Sequence, residues 1–188
     1  MDYCNNHSHI HKYGGNYYMF HHNMLRQAGL KTTTGGFRSL SVVPLEVDEQ
    51  AVELTKTKSS VYGTPQIKNP DAKAVNEGET LFTSAGIGYD IDGTLVKAAK
   101  TVEKGAWIYV KGVDFGAASE IFTAMVKGSG RVEIHLDDMS NPSCAAIEFE
   151  NNEYRGVYSN LTETVSGVHD MYIMFTDEGI CLDKWQFI

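Results

Sequence analysis

Residues 131–137, RVEIHLD, place apolar side chains at 132, 134 and 136 with charged or polar ones between them. An alternation of two residues puts one set on each face of an extended chain, so this stretch reads as a strand with one buried face. Residues 171–175, MYIMF, read the same way, one face apolar and the other mixed. Working outward, runs rich in β-branched and aromatic residues recur at 107–113, 121–127, 145–149, 160–165 and 182–187, each bounded by Gly, Asn, Asp or Ser. Short strands separated by turn residues at roughly 8 to 15 residues predict an antiparallel sandwich. The fold class is therefore all-β, a jelly-roll type β-sandwich of two antiparallel sheets. Helical signals are weak, and the Gly-x-Gly at Gly86 and Gly88 lacks the strand and helix that make a phosphate cradle.

The N-terminal third differs in chemistry. Five of the seven histidines fall in the first 22 residues. Gly14-Gly15 separates HSHIHKY from NYYMFHHN, which predicts a β-hairpin with a glycine turn. Residues 37–47 (FRSLSVVPLEV) predict another strand, and residues 25–36 a Thr- and Gly-rich loop. Residues 59–76, with both their prolines in turn contexts, read as a linker. The chain divides on this reading into strands at 1–58, a linker at 59–76 and a sandwich at 77–188.

Composition narrows the function. The net charge of -8 argues against nucleic acid as the expected partner, because phosphate neutralisation needs a basic face and the sequence shows none. No apolar run approaches the about 18 residues of a membrane span, and no membrane partner is expected. Cys4, Cys144 and Cys181 permit at most one bridge and form no C-x-x-C pair. Residues 1–20 contain neither a charged n-region nor an apolar h-region of an export signal.

Several stretches together resemble the family 6 carbohydrate-binding modules of bacterial xylan- and arabinan-degrading enzymes. They are Glu77-Gly78-Glu79-Thr80 followed by SAGIG, then GAWIYVKGVDFG (105–116), GRVEIHLDD (130–138), VSGVHDMYIMF (165–175) and LDKWQF (182–187). The first part, with NNHSHIHKYGGNYYMFHHN and GGFRSLSVVPLEVDE, is similar to the last blade of a family 43 glycoside hydrolase propeller. That resemblance implies a chain that hydrolyses nothing, because glycoside hydrolysis needs two carboxyl groups across the scissile bond and in family 43 these come from earlier blades. Asp137 and Asp138 do not replace them, since neighbours on a strand point to opposite faces.

Sugar recognition needs flat apolar surface for the pyranose ring and a few polar groups for its hydroxyls. The resemblance implies a cleft at one end of the sandwich with a sugar between two aromatic rings. Trp107 takes the first position, with Tyr109 behind it, and Tyr158 the second, with Tyr154 nearby. Core packing is the competing reading for Trp107 and Tyr109, and a weaker one for Tyr158 in the loop-like NNEYRGVYSN. Cys181 stands where the family usually places an asparagine. A thiol is a weak donor and acceptor, which implies lower affinity in that cleft, a different ligand, or binding on the concave sheet face that some members use. Glu77, Glu79 and Asp183 resemble the carboxylates that hold a structural calcium in the family, an ion that takes hard oxygen ligands. His7, His9 and His11 share one strand face, but a histidine- and aromatic-rich strand pair without a metal is the preferred reading. His135 and His169 read as structural.

The expected function is non-catalytic binding of plant cell-wall polysaccharide, xylan, arabinoxylan or β-glucan, which holds an attached glycoside hydrolase on its substrate. The alternative is a structural module that docks on the propeller and has lost sugar binding. Weak affinity is expected, micromolar to millimolar or roughly -8 to -4 kcal/mol. The family implies an extracellular location. Unpaired edge strands predict self-association through residues 1–60, and a monomeric mass in light scattering would count against it.

Overall fold

The computed structural model describes residues 7–23, 39–51, 53–55, 57–59, 64, 68–92 and 95–188. The expected loop at 25–36, Cys4 and much of the expected linker lie outside these. The chain forms two compact units, Met1–Ile67 and Lys68–Ile188.

In the first unit, β1 (Ser8–Tyr13) and β2 (Asn16–Asn23) pair antiparallel, and β3 (Ser39–Leu45) pairs with β2. Gly14 and Gly15 make the turn with φ of 56° and 84°, the two left-handed residues that a two-residue hairpin with the right twist requires. All six residues of β1 are exposed, as an outer strand of polar composition allows. A small pair, β4 (Val47–Asp48) and β5 (Glu53–Leu54), follows.

The second unit is the sandwich. Its strands are β6 (Asn76–Glu77), β7 (Thr83–Ala85), β8 (Ile87–Asp92), β9 (Leu95–Thr101), β10 (Trp107–Asp114), β11 (Ser119–Leu136), β12 (Ala145–Val165), β13 (Val168–Phe175) and β14 (Cys181–Phe187). Two pairs of predicted strands are each one long strand. Residues 121–127 and 131–136 belong to β11, and 145–149 and 160–165 to β12.

This continuity builds the two layers. The C-terminal half of β11 pairs with β13, which pairs with β10 and through it β7. Its N-terminal half pairs with β14, which continues through β9 to β8. β12 follows β11 along both halves. A strand that passes between layers must bend, and bulges or glycines are what allow it. The register shifts between Val126 and Gly128, and Gly128 and Gly130 take φ of 112° and 143°. A Cβ at Gly130 would stand 2.9 Å from both the Asp177 carboxylate and the Ile180 side chain.

The inner faces carry the alternating apolar residues. Ile108, Val110, Ile134, Met171 and Ile173 of one layer, and Phe122, Val126, Leu182, Trp185 and Phe187 of the other, are all buried in one cluster. Phe187 touches Phe115 at 4.8 Å, Phe122 at 5.0 Å and Trp185 at 6.2 Å between ring centres.

Candidate functional site: an aromatic sheet face

The residues that alternate with this core on β10 and β13 face outward. Trp107 and Tyr109 are half-buried beside fully buried Ile108 and Val110, and Tyr172 and Met174 alternate with Met171 and Ile173. Strand register sets Tyr109 opposite Tyr172 and Trp107 opposite Met174. Directly opposed residues share a face, so the rings collect. Tyr109 stacks on Tyr172 at 4.7 Å and 26°, Trp107 meets Tyr172 edge-on at 6.4 Å, and Phe82 meets Tyr109 edge-on at 5.7 Å. Phe82 is 57% exposed, and the Lys111 ammonium lies 5.5 Å from its ring centre.

Polar groups border the rings. On β11, Glu133 is opposite Met174 and His135 opposite Tyr172. Arg131 bonds Glu133 at 2.7 Å and reaches Glu148 at 3.5 Å. The Tyr109 hydroxyl donates to Asp170 at 2.7 Å. Burial, and then this carboxylate, push the Tyr109 phenol well above its usual range, so it is neutral and a donor. Burial also raises Tyr172, with Asp170 and Asp138 adding to it. Neutral rings bordered by polar groups suit stacking on a sugar.

The other expected aromatics lie elsewhere. The Tyr154 hydroxyl donates to Asp90 at 2.7 Å, Lys127 donates to the same oxygen at 3.1 Å, and the Lys127 ammonium sits 5.0 Å from the Tyr154 ring centre. The tyrosine hydroxyl and then the lysine hold Asp90 below its ordinary value. Cys181 is only 1% exposed, and burial raises its thiol. Burial likewise pushes Cys144 up to about 11; both are free thiols.

Tyr158 is 73% exposed but stands on β12 opposite Thr123, in the half of β11 that pairs with β14. Trp107 belongs to the layer of β7, β10 and β13. Trp107 and Tyr158 therefore stand on strands of different layers. The reason is local: NNEYRGVYSN looks like a loop for its Asn and Gly, yet it continues as strand because β11 offers it a partner around the corner.

Residues 77–188 match the sequence model of carbohydrate binding module family 6. The chain belongs to that family. Its module is non-catalytic, and its neighbours among solved structures share the fold. A family 6 module from Clostridium stercorarium, solved with cellobiose, covers 65% of this chain and 98% of its own at 20% identity and a TM-score of 0.57. A β-1,3-glucan-binding family 6 module from Bacillus halodurans covers 64% of this chain and 98% of its own at 17% identity and 0.56. A family 43 arabinoxylan arabinofuranohydrolase from Bacillus subtilis, in complex with cellotetraose, covers 98% of this chain at 23% identity and 0.81. The chain spans 41% of that enzyme's length. No curated protein matches.

At the ends of the family 6 module, β6 pairs with β14 and sets Glu77 opposite Lys184, while the Gly78 N–H donates to the Asp183 carbonyl at 2.6 Å. The backbone thus brings residues 77–79 beside Asp183. Among the described residues no three Asp, Glu, His or Cys side chains converge. The histidines of β1 form no such group either. His9 and His11 stack at 5.9 Å, and His7 meets His22 at 5.6 Å.

Sequence reasoning missed Phe82, Tyr172, Asp90 and Asp170. Tyr172 had a visible signal, the outward position in MYIMF. Asp90 had none, since its partner Tyr154 is remote in the chain.

Proposed function

We propose that this family 6 module binds plant cell-wall polysaccharide, xylan, arabinoxylan or β-glucan, on the face of Trp107, Tyr109, Tyr172 and Phe82, and that it holds an attached glycoside hydrolase on its substrate. The observation that carries this reading is the stacked Tyr109–Tyr172 pair with Trp107 beside it on an accessible face. The sugars named for the neighbours, cellobiose, β-1,3-glucan and cellotetraose, and the arabinoxylan in the name of the family 43 enzyme, support the substrate class. Attachment to a surface-bound module raises the effective concentration of the enzyme. Such polysaccharide lies outside cells, so secretion is part of the proposal.

Affinity electrophoresis tests it. Mobility is expected to fall in gels containing xylan, arabinoxylan or β-glucan relative to a gel without polysaccharide, and no p-nitrophenol is expected from arabinoside or xyloside substrates. A second reading has its own support: Lys127 covers the Tyr154 ring and Cys181 is buried, which favours a structural module with no working rim cleft. Unaltered mobility in every gel would establish that reading instead.

Calcium remains a proposal, with Glu77, Glu79 and Asp183 as ligands. It is supported by the pairing of β6 with β14 and requires the ion to draw the carboxylates together. Binding to the folded state alone raises stability by mass action, about 2.7 kcal/mol at a hundredfold excess over Kd. Added calcium is expected to raise the thermal midpoint and EGTA to lower it, with neither effect in Asp183→Asn. An unchanged midpoint in the wild type removes the ion from the proposal.

A further inference from the structure

The geometry points to Asp170 as a positioning residue for the aromatic face, held in place by Asp137 and His169; the inference rests on the reading that this face binds polysaccharide. One carboxylate does two jobs. Asp170 Oδ2 accepts the Tyr109 hydroxyl at 2.7 Å, and Oδ1 accepts the Gly112 N–H at 2.8 Å. Gly112 lies in the bulge that shifts the register of β10 between Val110 and Val113. The same side chain therefore fixes the tip of the Tyr109 ring and the backbone beside it, and the ring lies against Tyr172.

Asp170 is itself clamped. Its N–H donates to Asp137 Oδ1 at 3.1 Å, and the Asp137 N–H donates back to the Asp170 carbonyl at 2.7 Å. Asp137 adopts φ of 65°, a conformation that costs an L-residue energy and persists only when its surroundings enforce it. The other Asp137 oxygen meets His169 Nδ1 at 2.9 Å, while His169 Nε2 meets the Ser166 carbonyl at 3.0 Å. Both partners are acceptors, so the ring satisfies both only as the imidazolium, which donates from both nitrogens.

The charged group that meets this ring is Asp137, from the turn after β11. β10 sets Val113 opposite His169, and the Phe115 ring packs edge-on to it at 6.0 Å. The Asp137 hydrogen bond raises His169 above its ordinary value. A raised histidine contributes fully below the unfolded value of about 6.5 and loses its contribution as pH climbs through the higher folded value. Above that window the neutral ring donates to one acceptor only, Asp137 loosens, and Tyr109 loses its fixed seat.

A ring that must be ordered on binding costs affinity, about three- to tenfold for one side chain. Titration calorimetry with soluble arabinoxylan and barley β-glucan, at temperatures where each variant is fully folded, reads this directly. Asp170→Ala and Tyr109→Phe are each expected to weaken binding by about three- to tenfold, and the double variant by no more than either alone, because both cut one link. Asp170→Asn is expected to restore most of the affinity, since its amide both accepts from Gly112 and donates to the tyrosine oxygen. Wild-type affinity is expected to fall severalfold from about pH 6 to about pH 8.5, and His169→Gln to show a flat profile. Wild-type affinity in Tyr109→Phe and Asp170→Ala, with binding lost in Trp107→Ala, overturns the positioning role alone. Undiminished binding in Trp107→Ala overturns the aromatic face, and this role with it.

Discussion

Trp107→Ala is expected to take polysaccharide binding below detection in affinity electrophoresis, while Tyr158→Ala changes it less than about twofold. Trp107 supplies the largest ring of the outward row on β10 and β13, and it stands at the end of that row farthest from the Asp170 tether. Losing its contact removes about 0.5–1.5 kcal/mol of ring-specific attraction together with the burial of its apolar surface. A combined loss near 2–3 kcal/mol is about 30- to 150-fold, which carries a ligand already held at micromolar to millimolar strength out of range. The fold survives, because Trp107 is half-exposed and its inward neighbours Ala106 and Ile108 do the packing. Tyr158 is more accessible than Trp107, but no other ring in the described residues is paired with it, and a single exposed ring makes a poor platform. The opposite result, binding lost with Tyr158 and kept without Trp107, moves the site to the layer of β14.

How much of this was legible follows from which residues alternate. The runs at 107–113 and 171–175 show a period of two because each has a core on one side and the ring face on the other, so β10 and β13 could be read directly. The corner could not. Gly128-Ser129-Gly130 has the composition of a strand end, and only the packed neighbours, Gly179, Ile180 and Asp177, reveal that the glycines are there so that one strand can bend past them. β8 and β9 were missed for a related reason. They form one edge of the sheet, and Tyr89, Ile91, Leu95 and Val96 are exposed there, which erases the alternation. The binding residues divide the same way. Trp107 and Tyr109 were nameable from a motif, whereas Asp170 acquires its role only when β13 is laid beside β10 and its carboxylate meets a bulge that sequence does not announce. Tyr172 shows its outward position in MYIMF, but its stacking partner Tyr109 appears only when β13 lies beside β10.

Trp185 is the second position where a large effect is expected. It is 1% exposed on β14, and its ring sits with Phe187, Phe122 and Phe115 where the two layers meet. Trp185→Ala leaves a cavity that this rigid β frame cannot close, at a cost of about 3–5 kcal/mol. Against a total stability of about 5–15 kcal/mol, this is a third or more for most domains, and the thermal midpoint is expected to drop by roughly 10–20 °C. Trp185→Phe separates packing from polarity. The indole Nε1–H is buried with no hydrogen-bond partner among the described residues, and an unsatisfied buried donor costs about 1–3 kcal/mol. Phenylalanine gives up part of the ring volume but also removes that donor, so the two terms oppose and the midpoint is expected to stay within a few degrees of the wild type. A Phe variant as unstable as the Ala variant would mean that the indole nitrogen is bonded after all, to a trapped water. A mild Ala variant would mean that the layers are held together mainly at the β11–β12 corner.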